Sequence, residues 1–201
     1  MLHRFNFVSF VSVAATLVFF ASAPVSAHKL RERHEPVEVA KSDMIVLPER
    51  DWNLLTGRPG KNAEVWTLDG PQLNEVTFFG GIGYGEPLIK ERSKKRDPLP
   101  KFTSSTLLIE IPELLEGTHR SAKGIGNFEV IHIDAAPFLG HDGVNFRYKY
   151  VDEDELPRLG EARAAIVDGK LYMISFEAPR IHFYERNLAD FRVLAESARL
   201  K

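Results

Sequence analysis

The chain has 201 residues, of which 44% are hydrophobic and 27% are charged, and its formal net charge is −2 at pH 7. This length and composition favour one globular domain with a core of its own. The sequence contains no Cys, which excludes disulfides and an acylated bacterial lipoprotein anchor, and the nearly balanced charge argues against nucleic-acid binding.

The first 27 residues have the three parts of a secretory signal peptide. Arg4 precedes an apolar run from Phe5 to Ala23, and Val25-Ser26-Ala27 supplies the small residues that precede a cleavage site. We therefore predict a signal peptide over residues 1–27, cleaved before His28, and a periplasmic or secreted protein. An uncleaved leader that anchors the protein is the alternative, because the apolar run is nearly long enough to span a bilayer.

The mature chain would begin with a charged segment that is poor in large apolar side chains. We expect residues 28–42 to be a flexible N-terminal tether and residues 43–201 to form a single domain. Met44 to Leu47 is a short apolar run. Glu64 to Phe79 alternates apolar and polar residues around Asp69-Gly70, which predicts a β-hairpin.

A long polar loop is predicted from Gly80 to Lys101, with a short edge strand at Pro87 to Lys90. The apolar residues from Leu107 to Leu115 are then spaced as on one face of a helix. Pro112 should kink this helix or open a second piece of it. The segment from Gly117 to Gly126 separates the helix from the next strand.

Four antiparallel strands are predicted after this segment. Asn127 to Asp134 and Val144 to Val151 alternate apolar and polar residues, and the second has aromatic residues along one face. The acidic loop Asp152 to Leu159 precedes a hairpin from Glu161 to Ala178, in which Asp168-Gly169 supports a two-residue turn. Both faces of this hairpin are largely apolar, so we expect it in the middle of a sheet that is covered on both sides.

A closing helix is predicted after the hairpin. Asn187 and Asp190 resemble a capping pair at its start, and Leu188, Phe191 and Leu194 line one helical face. The predicted fold class is therefore α+β, with an antiparallel β-sheet of about six to seven strands flanked by helices.

Several local phrases, together with this element order, resemble the PsbP-like fold. They are Trp66-Thr67-Leu68-Asp69-Gly70, Leu99-Pro100-Lys101-Phe102, Gly140 to Tyr148, and Asp168 to Ala178 leading into Phe191. The resemblance covers Asp43 to Leu200 and implies an α/β/α sandwich, as in the photosystem subunit PsbP, a Ran-binding nuclear import factor and many exported bacterial proteins. It brings no catalytic residues with it, because members of this fold mostly act as binding or assembly factors.

The segment after the hairpin mixes aromatic and charged residues. As a binding rim it would present flat rings and guanidinium groups, a combination suited to contact with a protein or a ligand. The alternative is a loop whose aromatic residues pin the last helix to the sheet. The residues of this rim are Arg180, His182, Phe183, Tyr184 and Arg186.

The long loop contains a basic run. In an exported protein such a run could bind anionic headgroups or envelope polymers and give a weak contact with the membrane surface. A solvated loop is the plainer interpretation, because charge runs usually have no further role. The residues of the run are Lys90, Arg92, Lys94, Lys95 and Arg96.

Histidine and carboxylate residues suggest a metal-dependent or hydrolytic enzyme as an alternative. His132 and Asp134 share a face of a predicted strand, His141 lies in the next turn, and His182 follows the last strand. These side chains are suitable zinc ligands, but no HExxH or related spacing ties the four together. No serine lies in a G-x-S-x-G elbow.

We therefore expect an exported, non-catalytic binding or assembly module of the cell envelope, without a cofactor. Its partner would be a protein or an envelope ligand and not a nucleic acid. The alternatives are an envelope enzyme built on the four residues named above, and a membrane-surface protein held by an uncleaved leader and the basic loop.

Overall fold

The computed structural model of the protein describes residues 29–93, 95 and 98–201. The predicted signal peptide lies outside the described residues, as do Lys94, Arg96 and Asp97 of the basic loop. The described strands are β1 (Lys29–Arg31), β2 (Val37–Glu38), β3 (Met44–Val46), β4 (Trp52–Leu54), β5 (Ala63–Thr67), β6 (Glu75–Ile82), β7 (Glu129–Ala135), β8 (Gly143–Val151), β9 (Pro157–Val167), β10 (Lys170–Pro179) and β11 (Arg199–Leu200). The helices are α1 (Ile111–Lys123), which follows a 3₁₀ turn at Leu108–Glu110, and α2 (Phe183–Glu196).

One antiparallel sheet dominates this part of the chain. Its eight strands, counted over the described residues, lie in the order β1-β4-β5-β6-β10-β9-β8-β7. A smaller sheet has the order β11-β3-β2. The main sheet is slightly larger than the predicted six to seven strands because β1 and β4 extend one edge, and strands of three residues carry too little alternation to be recognised from sequence.

The hairpin of β9 and β10 lies in the middle of this sheet, as predicted. Asp168 and Gly169 form its turn with positive φ angles of 49° and 72°, and Val167 pairs with Lys170. One face of the hairpin contributes Ala162, Ala164, Leu171 and Met173 to one core, and the other face contributes Ala165, Val167, Tyr172, Ile174 and Phe176 to a second core.

Each core is closed by a different helix. α2 covers one core with Phe191 and Leu194, and the small sheet adds Met44 to it. α1 covers the other core with Ile111 and Leu115. The predicted α+β class, with a sheet between helices, is confirmed. No helix in the described ranges is both long enough and apolar enough to cross a membrane.

Helix α1 begins where its proline predicts. Pro112 lies in the first turn after the 3₁₀ turn, so the apolar segment is divided there. The helix does not end near Gly117 but continues to Lys123, and Gly124 ends it with a φ angle of 66°. Gly117 allows a close approach, because a Cβ there would lie 3.0 Å from Cγ of Pro100.

Residues 29–42 do not form the flexible tether that their charge predicted. Strand β1 pairs with β4, and Val39 and Ala40 are fully buried. Arg31 lies 3.5 Å from the buried carboxylate of Glu64 and 5.6 Å from the centre of the Trp66 ring. Backbone pairing, ion pairs and a cation over an aromatic ring therefore hold a segment that has few large apolar side chains.

Helix α2 begins at Phe183, earlier than its predicted cap. Asn187 is buried within the helix, and its side-chain amide donates a hydrogen bond of 3.0 Å to Oδ2 of Asp69 in the β5–β6 turn. The predicted cap is therefore wrong. Asn187 instead ties the helix to a turn, a long-range contact that local sequence does not reveal.

Candidate binding cleft

The predicted rim spans the start of α2 rather than a loop. Tyr184 is buried, and its ring stacks on Phe176 with 5.5 Å between centroids. Phe183 is partly buried against the same core. The two rings thus hold α2 on the sheet, and the exposed members of the rim are Arg180, His182 and Arg186.

The histidines that the sequence suggested as metal ligands are all exposed. On the edge strand β7, His132 Nε2 lies 2.6 Å from Asp134 Oδ2. His141 lies in the turn before β8, and His182 directly precedes α2. Over residues 29–93, 95 and 98–201, no group of three or more His, Cys, Asp or Glu side chains is placed to hold a metal ion. His132 and Asp134 therefore form an exposed pair on a strand edge.

The basic run of the long loop is described only in part. Lys90, Arg92 and Lys95 are exposed, and Arg92 also reaches a cavity on the α1 face. Lys94 and Arg96 are outside the described residues. Anion binding by this run stays a prediction.

A buried carboxylate that the sequence does not single out lies near the end of β10. Glu177 is 5% exposed and follows a run of buried positions on that strand. It is paired directly opposite Glu75 of β6, so the two acidic side chains project from neighbouring strands on the α1 face. Two neighbouring carboxyl groups raise the free energy of ionising both.

Two bases on α1 neutralise Glu177. His119 and Lys123 are separated by about one helical turn and project together from one face of the helix. His119 Nε2 lies 2.9 Å from Glu177 Oε2, and Lys123 Nζ contacts Glu177 Oε1. His119 Nδ1 lies 3.1 Å from the carbonyl oxygen of Leu115, so both ring nitrogens face oxygen atoms.

The two acids are shifted in opposite directions. Burial would raise the pKa of Glu177, but Lys123 and His119 hold that pKa well below its usual range. Burial and then the charge of Glu177 raise the pKa of Glu75 from 4.5 to about 7, against smaller opposing effects of Lys123 and Arg158. Glu177 is thus the neutralised anion, and Glu75 is the acid that titrates near neutral pH.

Two adjoining cavities lie between α1 and the sheet, and both are lined by Glu75, Ala122, Lys123 and Glu177. The larger, of about 560 Å³, has a polar wall that includes Arg92, Asp152, Glu153, Asp154 and Arg158. The smaller, of about 190 Å³, has a mainly apolar wall that includes Val65, Phe79, Ile89 and Leu115. We call the two cavities together the Glu177 cleft. The Glu177 cleft thus joins a polar surface to an apolar one.

A glycine makes room for this arrangement. Gly160 of β9 pairs with Glu177 on one side and with Tyr148 of β8 on the other. A Cβ at Gly160 would lie 2.1 Å from Tyr148 Cζ, so the tyrosine ring packs on bare backbone. The His119 ring lies 5.4 to 6.0 Å from the rings of Phe128, Tyr148 and Tyr150. This aromatic packing holds the imidazole beside Glu177.

Arg158 forms part of the polar wall. It is 8% exposed, and it donates from Nη1 to Asp152 Oδ2 at 3.2 Å and from Nη2 to the carbonyl oxygen of Gln72 at 2.8 Å. Its Nε is buried and has no acceptor among the described residues. Lys123 and Arg158 thus pair with Glu177 and Asp152, and Glu75 forms no ion pair in the described part of the chain.

The cluster is not arranged as a Ser-His-acid triad. Ser175 lines the apolar cavity, but the nitrogens of His119 are already engaged with Leu115 and Glu177. A general base needs a nitrogen that faces the hydroxyl.

The sequence patterns contain only weak signals for this cleft. His119 and Lys123 have the spacing of one helix face, but they lie beyond Gly117, where the predicted helix ends. Glu177 is an acid at the end of an otherwise apolar strand, which is a sign of a buried polar group with partners. Its pairing with Glu75 depends on strand register between distant segments, which no local pattern shows.

Comparisons with known proteins address the fold. No known protein family and no curated protein matches the sequence. The solution structure of cyanobacterial PsbP, CyanoP, from Synechocystis is 13% identical, with a TM-score of 0.55 over 91% of this chain and 99% of that chain. The Ran-binding protein Mog1p of Saccharomyces cerevisiae is 8% identical, with a TM-score of 0.48 over 87% of this chain and 96% of that one. LpqN, involved in cell envelope biogenesis of Mycobacterium tuberculosis, is 12% identical, with a TM-score of 0.33 over 86% and 91%.

The likeness to CyanoP spans nearly the full length of both chains. At this sequence identity it concerns the fold and not a shared ligand or activity. The protein therefore has the PsbP-like fold that its sequence predicted.

Proposed function

We propose that the protein is an exported, non-catalytic binding module of the cell envelope and that its ligand occupies the Glu177 cleft. The observation that carries this proposal is a buried carboxylate, held by two bases, where a polar and an apolar cavity adjoin. Buried ion pairs can often be replaced by apolar residues without loss of stability, so the core alone does not require one. The larger cavity also falls in the usual range of ligand sites, about 300 to 1,000 Å³.

The engagement of the polar groups supports binding over catalysis. Both nitrogens of His119 have partners, and Lys123 is paired with Glu177. A general base or a nucleophile must have its reactive atom directed at the substrate. A ligand in this cleft would meet charges that are already fixed, together with an apolar wall that gives it an orientation.

Export is supported by the signal-peptide pattern of residues 1–27. The intact mass of the protein recovered from the native envelope tests this part of the proposal. We expect a mass that lacks residues 1–27. A full-length mass would favour the alternative of a membrane-surface protein held by its leader.

Filling the cleft tests the binding site. Ala122 lines both cavities, so Ala122→Trp should occlude them without removing a charge. Ser121 is its exposed neighbour on α1, so Ser121→Trp is the matched control. After incubation with a small-molecule extract of the native envelope, native mass spectrometry should detect a bound compound on the wild type and on Ser121→Trp but not on Ala122→Trp. Equal binding by all three proteins, or binding by none, would contradict the proposal.

A further inference from the structure

Two groups in the Glu177 cleft would each gain a partner from a suitable ligand. Glu75 faces Glu177 across the strand pair and hydrogen-bonds to that acid, but it forms no ion pair among the described residues. Arg158 uses Nη1 and Nη2, but its buried Nε has no acceptor in the same part of the chain. Both residues line the larger cavity. A cation beside Glu75 and an acceptor beside Arg158 would complement these two groups.

We infer that the Glu177 cleft binds a small zwitterion with an apolar substituent, of the amino-acid class. The ammonium group pairs with Glu75, the carboxylate accepts from Arg158, and the substituent enters the apolar cavity. This inference rests on the proposed function and specifies the ligand class for the same site.

The surroundings of Glu75 favour a cation from the ligand. Lys123 is committed to Glu177, and the wall of the larger cavity adds the acids Asp152, Glu153 and Asp154. An ammonium group beside Glu75 would stabilise the ionised carboxylate without displacing Lys123. It would also reduce the repulsion between Glu75 and Glu177.

The surroundings of Arg158 favour a carboxylate. Asp152 and the carbonyl group of Gln72 hold the guanidinium in place, so the position of Nε is fixed before a ligand arrives. A hydrogen bond between a guanidinium and a carboxylate is among the stronger ones, because both partners are charged. Arg92 lies on the same wall and adds a second positive charge. A cationic ligand without an acceptor would leave Nε unpaired.

The smaller cavity accounts for the apolar substituent. Its wall includes Val65, Phe79, Ile89 and Leu115, and it shares Glu75 and Glu177 with the polar cavity. A ligand with its charged groups near Glu75 can therefore place an aliphatic chain against apolar side chains. Burial of that chain adds about 0.8 kcal/mol per methylene group, which is roughly a fourfold gain in affinity.

Three compounds with the same aliphatic chain separate the contribution of the ammonium group to binding from that of the carboxylate. L-Norleucine carries both groups, pentylamine lacks the carboxylate, and hexanoate lacks the ammonium group. In isothermal titration calorimetry with the exported protein at pH 8, we expect L-norleucine to bind at least about tenfold more tightly than either, because it makes one more charge-assisted contact.

Two variants test which residue contacts each charged group of L-norleucine. In Glu75→Gln, L-norleucine should lose its advantage over hexanoate while hexanoate still binds. In Arg158→Gln, it should lose its advantage over pentylamine while pentylamine still binds. Each variant should still bind one of the single-charge compounds. Retained binding of that compound distinguishes the loss of one contact from unfolding of the protein. Glu185→Gln, an exposed position on α2, is the control and should change none of the affinities.

Equal affinities for L-norleucine and for either single-charge compound would overturn the inference, and so would no binding of any of the three. Neither result would by itself overturn the proposed function. That proposal depends on whether Ala122→Trp blocks the compound taken from the envelope extract, and the two experiments can therefore fail separately.

Discussion

Both faces of the sheet bury glutamates, and Glu161 on one face and Glu177 on the other are neutralised in different ways. On the α2 face, Glu161 accepts hydrogen bonds of 3.0 and 2.6 Å from Nε and Nη2 of Arg192. On the α1 face, Glu177 is held by two separate bases, His119 and Lys123, and it lies opposite the second acid, Glu75. Only the second glutamate borders the Glu177 cleft.

This difference separates a pair that holds the fold from a site that can accept a ligand. A planar guanidinium matches both oxygens of one carboxylate, so Glu161 and Arg192 form a complete unit. The hydrogen bond to Glu161 also raises the pKa of Arg192. On the α1 face, His119 and Lys123 satisfy Glu177, and Glu75 forms no ion pair among the residues that the structure describes. The remaining charge and the adjacent cavity are what make that face a candidate site.

The largest expected effect is the loss of the buried carboxylate. Glu177→Ala should lower the free energy of unfolding by about 3 kcal/mol, because it leaves the imidazole of His119 buried without its anion. The melting temperature at pH 7 should fall by about 6 to 12 °C for a chain of this size. Urea unfolding followed by circular dichroism measures both the free energy and the cooperativity.

Glu161→Ala is the matched variant on the other face. The decrease in its free energy of unfolding should be smaller, about 1 kcal/mol. The side chain of Arg192 is 45% exposed, so it can be solvated when its partner is removed. Equal losses for the two alanine variants would remove the distinction between the two pairs.

The packing under the cleft gives the next effect. Gly160→Ala should lower the free energy of unfolding by about 2 kcal/mol, because its Cβ would force the Tyr148 ring away from the sheet. Gly126→Ala is the control, since a Cβ at Gly126 meets no atom within 4 Å. Differential scanning calorimetry of both variants should show a loss for the first alone. A Gly160→Ala protein as stable as the wild type would mean that the ring does not depend on bare backbone.

The smallest effect concerns Glu75 and depends on pH. Its folded pKa of about 7 lies above the ordinary 4.5, so the folded state binds the proton more tightly and stability falls as the pH rises from about 4.5 to 7. The charged groups that act on Glu75 are Glu177 on β10, Lys123 on α1 and Arg158 on β9. Glu75→Gln removes this penalty and should therefore stabilise the protein by about 1 to 2 kcal/mol at pH 8, but not at pH 5.

Thermal unfolding of the wild type and of Glu75→Gln at the two pH values measures this difference. Glu153→Gln, an exposed position on the wall of the same cavity, should show no such dependence. A gain of equal size at pH 5 and pH 8 would show that Glu75 does not titrate between them.

The features that the sequence predicts correctly are set by neighbouring residues. Asp168 and Gly169 determine a turn, and the alternation on either side of them determines which face each side chain occupies. The features that it does not predict depend on distant contacts. Gly117 remains helical against Pro100, and Tyr184 is drawn into the core beside Phe176.

The candidate site belongs to the second group. Glu75 and Glu177 meet only through the pairing of β6 with β10, and His119 reaches them only because α1 extends past Gly117. The fold could therefore be predicted from the sequence, through local signals and a resemblance. The cleft could not, because it depends on how distant strands pair in the sheet.

The central claim is that a ligand binds on the α1 face and not on the α2 face. An NMR titration of the isotope-labelled protein with L-norleucine tests it most directly. We predict saturable amide shifts in α1 and around Glu75 and Glu177, with no change around Glu161 and Arg192. Shifts centred on α2, or no shifts up to the solubility limit of L-norleucine, would contradict this account.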